Sequence, residues 1–181
     1  DVWYSTDGAS WTQATAAANW SVRNNFGLYV YDNKMWIAGG DDQGGSWLND
    51  VWYSTDGVSW TQATSAANWS ARNDFGALVF DNKMWVIGGD AGGTDRNDVW
   101  YSSNGVSWTQ ATAAAGWSAR QRFGRAVYDG RMWIMGGSAS GVRTNDVWYS
   151  TDGASWTQAT AAAAWSARST FEAATFNNRI W

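Results

Sequence analysis

The phrase Asp-Val-Trp-Tyr-Ser occurs four times, opening at Asp1, Asp50, Asp98 and Asp146, at intervals of 49, 48 and 48 residues. A period of roughly 40 to 50 residues marks a chain built from one supersecondary unit, repeated as blades or solenoid turns. Such a unit buries its apolar face only against a neighbour, so the fold must set four near-identical elements side by side.

Each unit reads as four short strands. In the second, Phe75–Phe80 is followed by the tight turn Asp81-Asn82-Lys83, then Met84–Ile87 ends at Gly88-Gly89. After a variable loop come Asp98–Ser102, a turn at Asn104-Gly105, and Ser107–Gln110. Short Val, Ile, Trp, Tyr and Phe runs bounded by Asp-Asn, Asp-Gly and Gly-Gly signals are strand chemistry. The Ala-rich stretches, such as Ala111–Ala115 and Ala159–Ala164, are too short to hold a helix alone and are assigned to the connections. The expected fold is an all-β propeller of four-stranded antiparallel blades in a single domain, residues 1–181. The chain opens on the third strand of a unit and stops on the second. Residues 1–13 and 168–181 are therefore expected to pair as one blade and remove both sheet edges. The rival is a stretch of a larger propeller or a homo-oligomer, since Trp181 lacks the diglycine found after Trp36, Trp85 and Trp133.

Composition narrows the chemistry. The chain has no Cys, no His and one Glu, which removes thiol nucleophiles, imidazole bases and soft-metal sites; no catalytic residue, metal or cofactor is expected. A net charge of -4 argues against a nucleic-acid partner, which calls for clustered Lys and Arg. No apolar run reaches the roughly 18 residues of a membrane helix, so a membrane partner is not expected either. Asn19-Trp20-Ser21 and Asn68-Trp69-Ser70 match N-glycosylation acceptors and lean the reading toward an extracellular setting.

The recurring residues resemble the kelch-repeat family. A diglycine closes the second strand (Gly39-Gly40, Gly88-Gly89, Gly136-Gly137), Asn-Asp-Val and an aromatic follow, and a Trp closes the phrase (Trp60, Trp108, Trp156). The resemblance spans essentially the whole chain and implies a propeller. The spacing from Asn-Asp-Val to Trp is about one residue shorter than the family pattern, and the last unit lacks the diglycine. Ser5 to Trp11 is also similar to the Asp-box of sialidase-like propellers with one residue missing. Catalysis of either family's type finds no support: a copper oxidase needs His and a Cys-linked Tyr, and glycoside hydrolysis needs paired acids.

Residue by residue, most of the pattern is structural. The Trp residues at fixed blade positions are read as packing, whereas Trp47 occurs once, in a variable loop, and is a candidate contact. Asp7, Asp56, Asn104 and Asp152 are read as turn residues, and Asp41, Asp42 and Asp90 lack metal-loop spacing. Arg23, Arg72, Arg120 and Arg168 admit two readings. Ring closure would set them around a channel entrance as an anion-binding ring, or each bonds blade carbonyls and the Asp of Asn-Asp-Val.

The copies differ from one another in two places. After each Arg stand Asn24-Asn25, Asn73-Asp74, Gln121-Arg122 and Ser169-Thr170, with further changes near Leu28, Ala77, Arg125 and Ala173; the loop after the diglycine also varies. Both lie on the same face of an antiparallel blade, while the turns opposite hardly change. This pattern suits a non-catalytic scaffold that reads a protein or glycan ligand through one rim. The alternatives are a structural or self-assembling repeat module, natural or engineered, and, third, a sialidase-like enzyme.

Overall fold

Two-residue turns set the strand pairs. Asp32-Asn33, Asp81-Asn82, Asp129-Gly130 and Asn177-Asn178 have positive φ at both positions, the hairpin geometry whose twist matches that of the flanking strands. Asn and Asp tolerate it because a short polar side chain bonds locally. The computed structural model describes all 181 residues and shows strands and turns without a helix.

An N-terminal pair, β1 (Val2–Tyr4) and β2 (Thr12–Thr15), precedes three full blades and a C-terminal pair. The first blade joins β3 (Arg23–Asn24), β4 (Gly27–Tyr31), β5 (Lys34–Asp42), β6 (Trp47–Ser54) and β7 (Thr61–Thr64), with both β3 and β4 on β5. The second runs β8 (Gly76–Phe80), β9 (Lys83–Asp90), β10 (Asp95–Ser102), β11 (Thr109–Thr112), and the third β12 (Gly124–Tyr128), β13 (Arg131–Ala139), β14 (Val142–Ser150), β15 (Thr157–Thr160). The last pair is β16 (Thr175–Phe176) and β17 (Arg179–Ile180). Every pairing is antiparallel, as the repeat predicts.

The diglycine does not end the second strand. Gly88 and Gly89, at φ 53° and 100°, lie within β9 beside a bulge: Asn97 and Asp98 of β10 stand opposite the single Gly88, and pairing continues as Arg96 opposite Gly89 and Asp95 opposite Asp90. A side chain at Gly89 would stand 2.6 Å from Phe75 and 2.7 Å from the Asn73 carbonyl. Only glycine admits that approach. The backbone freed by the bulge reaches the next blade: Gly40, Gly89 and Gly137 N–H groups donate to the carbonyls of Arg72, Arg120 and Arg168.

Phenylalanine and tryptophan join the blades. The Phe75 ring covers Gly27 and the Phe123 ring covers Gly76, each so close that a Cβ would lie 2.6 or 2.7 Å away; Phe171 covers Gly124 in the same way. Within blades, Trp20–Trp60, Trp69–Trp108 and Trp117–Trp156 meet edge to face at 5.8 Å. Such pairs add about 0.5–1.5 kcal/mol each beyond the area they bury.

β1–β2 and β16–β17 stand as separate two-stranded sheets, and closure of residues 1–13 with 168–181 into one blade is not shown. Leu28 and Val30 on β4 are exposed, whereas Ala77, the counterpart of Leu28 on β8, is buried beneath the preceding strand.

Candidate functional site

The four units converge on a cavity of about 390 Å³. Its lining comes from equivalent positions of every unit: Asn25 and Phe26, Asp74 and Phe75, Arg122 and Phe123, Thr170 and Phe171, joined by Arg125 and Glu172. The phenylalanines form the apolar wall and the variable residues form the polar mouth.

The mouth is held by the backbone. Asn25, Asp74, Arg122 and Thr170 all lie in the left-handed region, at φ 52°, 53°, 57° and 60°. The last three amides each donate to the carbonyl one unit back: Asp74 to Asn25 at 3.1 Å, Arg122 to Asp74 at 3.0 Å, Thr170 to Arg122 at 2.8 Å. Left-handed backbone costs a non-glycine residue roughly 1–2 kcal/mol, more keenly felt by β-branched Thr170. The inter-blade bonds hold that conformation whatever side chain is present.

Two ion pairs cross between units at this mouth. Arg122 Nε donates to Asp74 Oδ2 at 2.9 Å, and Arg125 Nη1 donates to both Glu172 oxygens at 3.1 and 3.3 Å. Burial raises the Asp74 carboxyl above the ordinary range; Arg122 opposes this, while the carboxylates of Asp41 and Asp90 add to it. Glu172 is exposed, so its pair with Arg125 is open to exchange with a ligand.

Of the two readings of the arginines, the anion-binding ring does not fit Arg23, Arg72 and Arg120, which bond blade carbonyls and the Asp of Asn-Asp-Val instead. Arg72 is fully buried: Nη1 and Nη2 grip Asp98 at 2.6 and 2.8 Å, Nη1 also reaches the Gly88 carbonyl, and Nε and Nη2 bond Ser70. Arg23 with Asp50 and Arg120 with Asp146 repeat the arrangement. Burial alone would raise the Asp98 and Asp146 carboxyls, but the Arg72 and Arg120 guanidiniums outweigh it and hold both low. These three arginines fasten the diglycine bulge to the third strand. Arg168 alone is exposed; it bonds only Ser166 and stacks on Trp165.

The remaining expected residues divide. Asn25, Asp74, Arg122 and Thr170 line the cavity. Asn24, Asn73 and Gln121 lie one residue off the mouth and brace the loops instead: the Asn24 amide faces Asp41, Asn73 donates to Asp41, and Gln121 donates to Asp95 of the previous blade. Ser169 is half-buried outside the cavity. Trp47, expected to be exposed, is half-buried in β6 opposite Asp41. Asp7, Asp56 and Asp152 accept amide N–H bonds from their own turns, which draws their carboxyls down, Asp7 to about 2. The Tyr29 phenol is pushed up by burial and donates to the Trp85 carbonyl.

Sequence reasoning missed the phenylalanine wall. Its signal was present: Phe26, Phe75, Phe123 and Phe171 each stand three residues after the Arg. The first three are followed by Gly and the last by Glu172.

Four-stranded antiparallel blades ranged about a common axis define a β-propeller repeat protein. The whole chain, residues 1–181, matches the KLHDC2/KLHL20/DRC7 kelch-repeats domain family, and the protein belongs to the kelch-repeat family. No individually curated protein gives a significant match. Domains of this family are typically non-enzymatic and mediate protein–protein interaction.

Proposed function

We propose that the protein is a non-catalytic scaffold that binds a protein partner at the axial cavity, through Asn25, Asp74, Arg122, Arg125, Thr170 and Glu172. One observation carries this reading: the cavity mouth is lined by the positions that differ among otherwise repeated units, on a backbone that the units share. Variable side chains on a fixed frame are the arrangement of a recognition surface. Apolar phenylalanine walls with a few polar groups at the rim suit a peptide segment entering the funnel. The wet, charged mouth suits partner selection by charge more than raw affinity.

A glycan platform has less support. The blade tryptophans pack edge to face inside the blades, and Trp47 is half-buried.

The test is quantitative affinity capture with the wild type, Arg122→Ala/Arg125→Ala at the mouth, and Lys83→Ala on the opposite face. Partners lost from the mouth variant and retained by Lys83→Ala are expected. Equal recovery by all three proteins removes the axial face from consideration.

A further inference from the structure

Units one and two carry carboxylates beside the cavity that no basic group of the chain balances. Ahead of the first long strand of each blade, one residue pairs with the end of the second: Asn24 with Asp41, Asn73 with Asp90, Gln121 with Ser138. Directly paired residues carry their side chains on the same face. In the first blade the Asn24 amide faces its own partner, Asp41. In the second, Asn73 Nδ2 reaches across to Asp41 of the first blade at 2.8 Å, and Asp90 goes without it. Two acceptors are stranded as a result. Asn73 Oδ1, on a residue only 8 % exposed, and Asp90 Oδ1 are both buried with no donor. In the third blade Ser138 stands in place of the carboxylate.

Charge is left over in the same place. Arg23 and Arg72 are committed to Asp50 and Asp98, Arg122 reaches only Asp74, and no Lys or Arg pairs with Asp41 or Asp90. Asp41 is met by neutral amides alone, those of Asn24, Asn25 and Asn73. Asp74, on the cavity wall, feels the negative charge of both Asp41 and Asp90, so the three carboxylates share one field. Opposite them the third unit supplies Arg122 and Arg125. The mouth is therefore acidic over units one and two and basic over unit three.

Resting on the axial reading above, we infer that the partner segment presents a lysine or arginine side chain to Asp41 and Asp90, on the unit one and two side of the mouth. An ammonium or guanidinium brings donors and no acceptor, which is what stranded acceptors and unpaired carboxylates lack. Both aspartates are half-buried, where a charge-assisted bond counts for more than it does in open water. Arg122 and Arg125 repel a like charge, which confines the partner's basic residue to the acidic side and fixes the direction in which the segment enters.

Calorimetric titration of the whole chain at low salt with an amidated Gly-Arg-Gly-Arg-Gly peptide, and with its glutamate counterpart, tests this. The arginine peptide should bind and the glutamate peptide should bind more weakly. Asp90→Asn alters a side chain that makes no hydrogen bond or ion pair within the fold, and it should weaken the arginine peptide about tenfold. Asp32→Asn/Asp81→Asn, a charge change on the opposite face, should leave that binding unaltered. Arg122→Gln should tighten it by removing the chain's own cation from Asp74. No binding of the arginine peptide, or binding reduced equally by the changes on the two faces, overturns the inference. The axial reading fails separately. Partners lost from Arg122→Ala/Arg125→Ala but fully retained by Asp41→Asn/Asp90→Asn would leave that reading standing and overturn this one.

Discussion

Replacing Arg72 with alanine tests the reassignment of the arginines from ligand site to frame. The guanidinium makes five bonds at zero exposure: two to Asp98, two to Ser70 and one to Gly88. Its loss leaves Asp98 largely buried with only Trp100 as partner, and a bulge carbonyl without a donor. Breaking a buried pair from one side costs about 3–5 kcal/mol, a large share of the roughly 5–15 kcal/mol that holds a typical domain. The repeat supplies its own control, because Arg168→Ala removes the same residue where it is exposed and lacks a carboxylate. That change should stay within about 0.5 kcal/mol. Urea unfolding followed by tryptophan fluorescence and far-UV circular dichroism reads both variants. Two probes are needed because repeat arrays can melt in parts. Arg72→Met/Asp98→Leu should recover most of the loss, since removing both charges leaves neither stranded. Equal costs at positions 72 and 168 would refute the reasoning.

Three further outcomes follow from the same geometry. Gly76→Ala forces a Cβ to within 2.7 Å of the Phe123 ring and should cost about 1–3 kcal/mol, with Gly76→Ala/Phe123→Leu recovering part of it in the same unfolding assay. Asp74→Asn should be close to neutral at pH 7, within about 0.5 kcal/mol, because unit one already holds Asn25 at this backbone position and the change removes a carboxylate whose charge burial disfavours. Asp98 and Asp146 lie below the ordinary carboxylate range when folded. Their contribution is thus complete above about pH 4 and disappears as pH falls through their folded values; thermal melts from pH 6 to pH 2 should show the wild type losing more stability than Arg72→Ala.

The fold was legible in the sequence because its signals are local and repeated. Asp81-Asn82 announces its hairpin, Ser-Thr-Asp-Gly its turn, and the 48-residue period the blade. The diglycine misled at one point. Gly88-Gly89 reads as a strand end, yet β9 runs on to Asp90 and β10 starts back at Asp95, because the glycines serve the neighbouring blade rather than a turn. The variable positions located the face, but which of them reach the axis depends on alternation within a two-residue stretch. Asn73 turns inward to Asp41 while Asp74 faces the cavity, a division that appears only when four units are set side by side. Arg72 and Arg168 both follow Trp-Ser-Ala and stand three residues before a Phe, yet they are opposite in environment, since Arg72 is buried against a strand 26 residues away.

The chain of amide-to-carbonyl bonds through Asn25, Asp74, Arg122 and Thr170 separates two things that most binding sites entangle. Asparagine, aspartate, arginine and threonine already occupy one backbone geometry within a single molecule. The mouth therefore behaves as a socket with four interchangeable inserts. Randomising these positions, with Arg125 and Glu172, should yield libraries in which specificity changes while the melting behaviour of the frame does not.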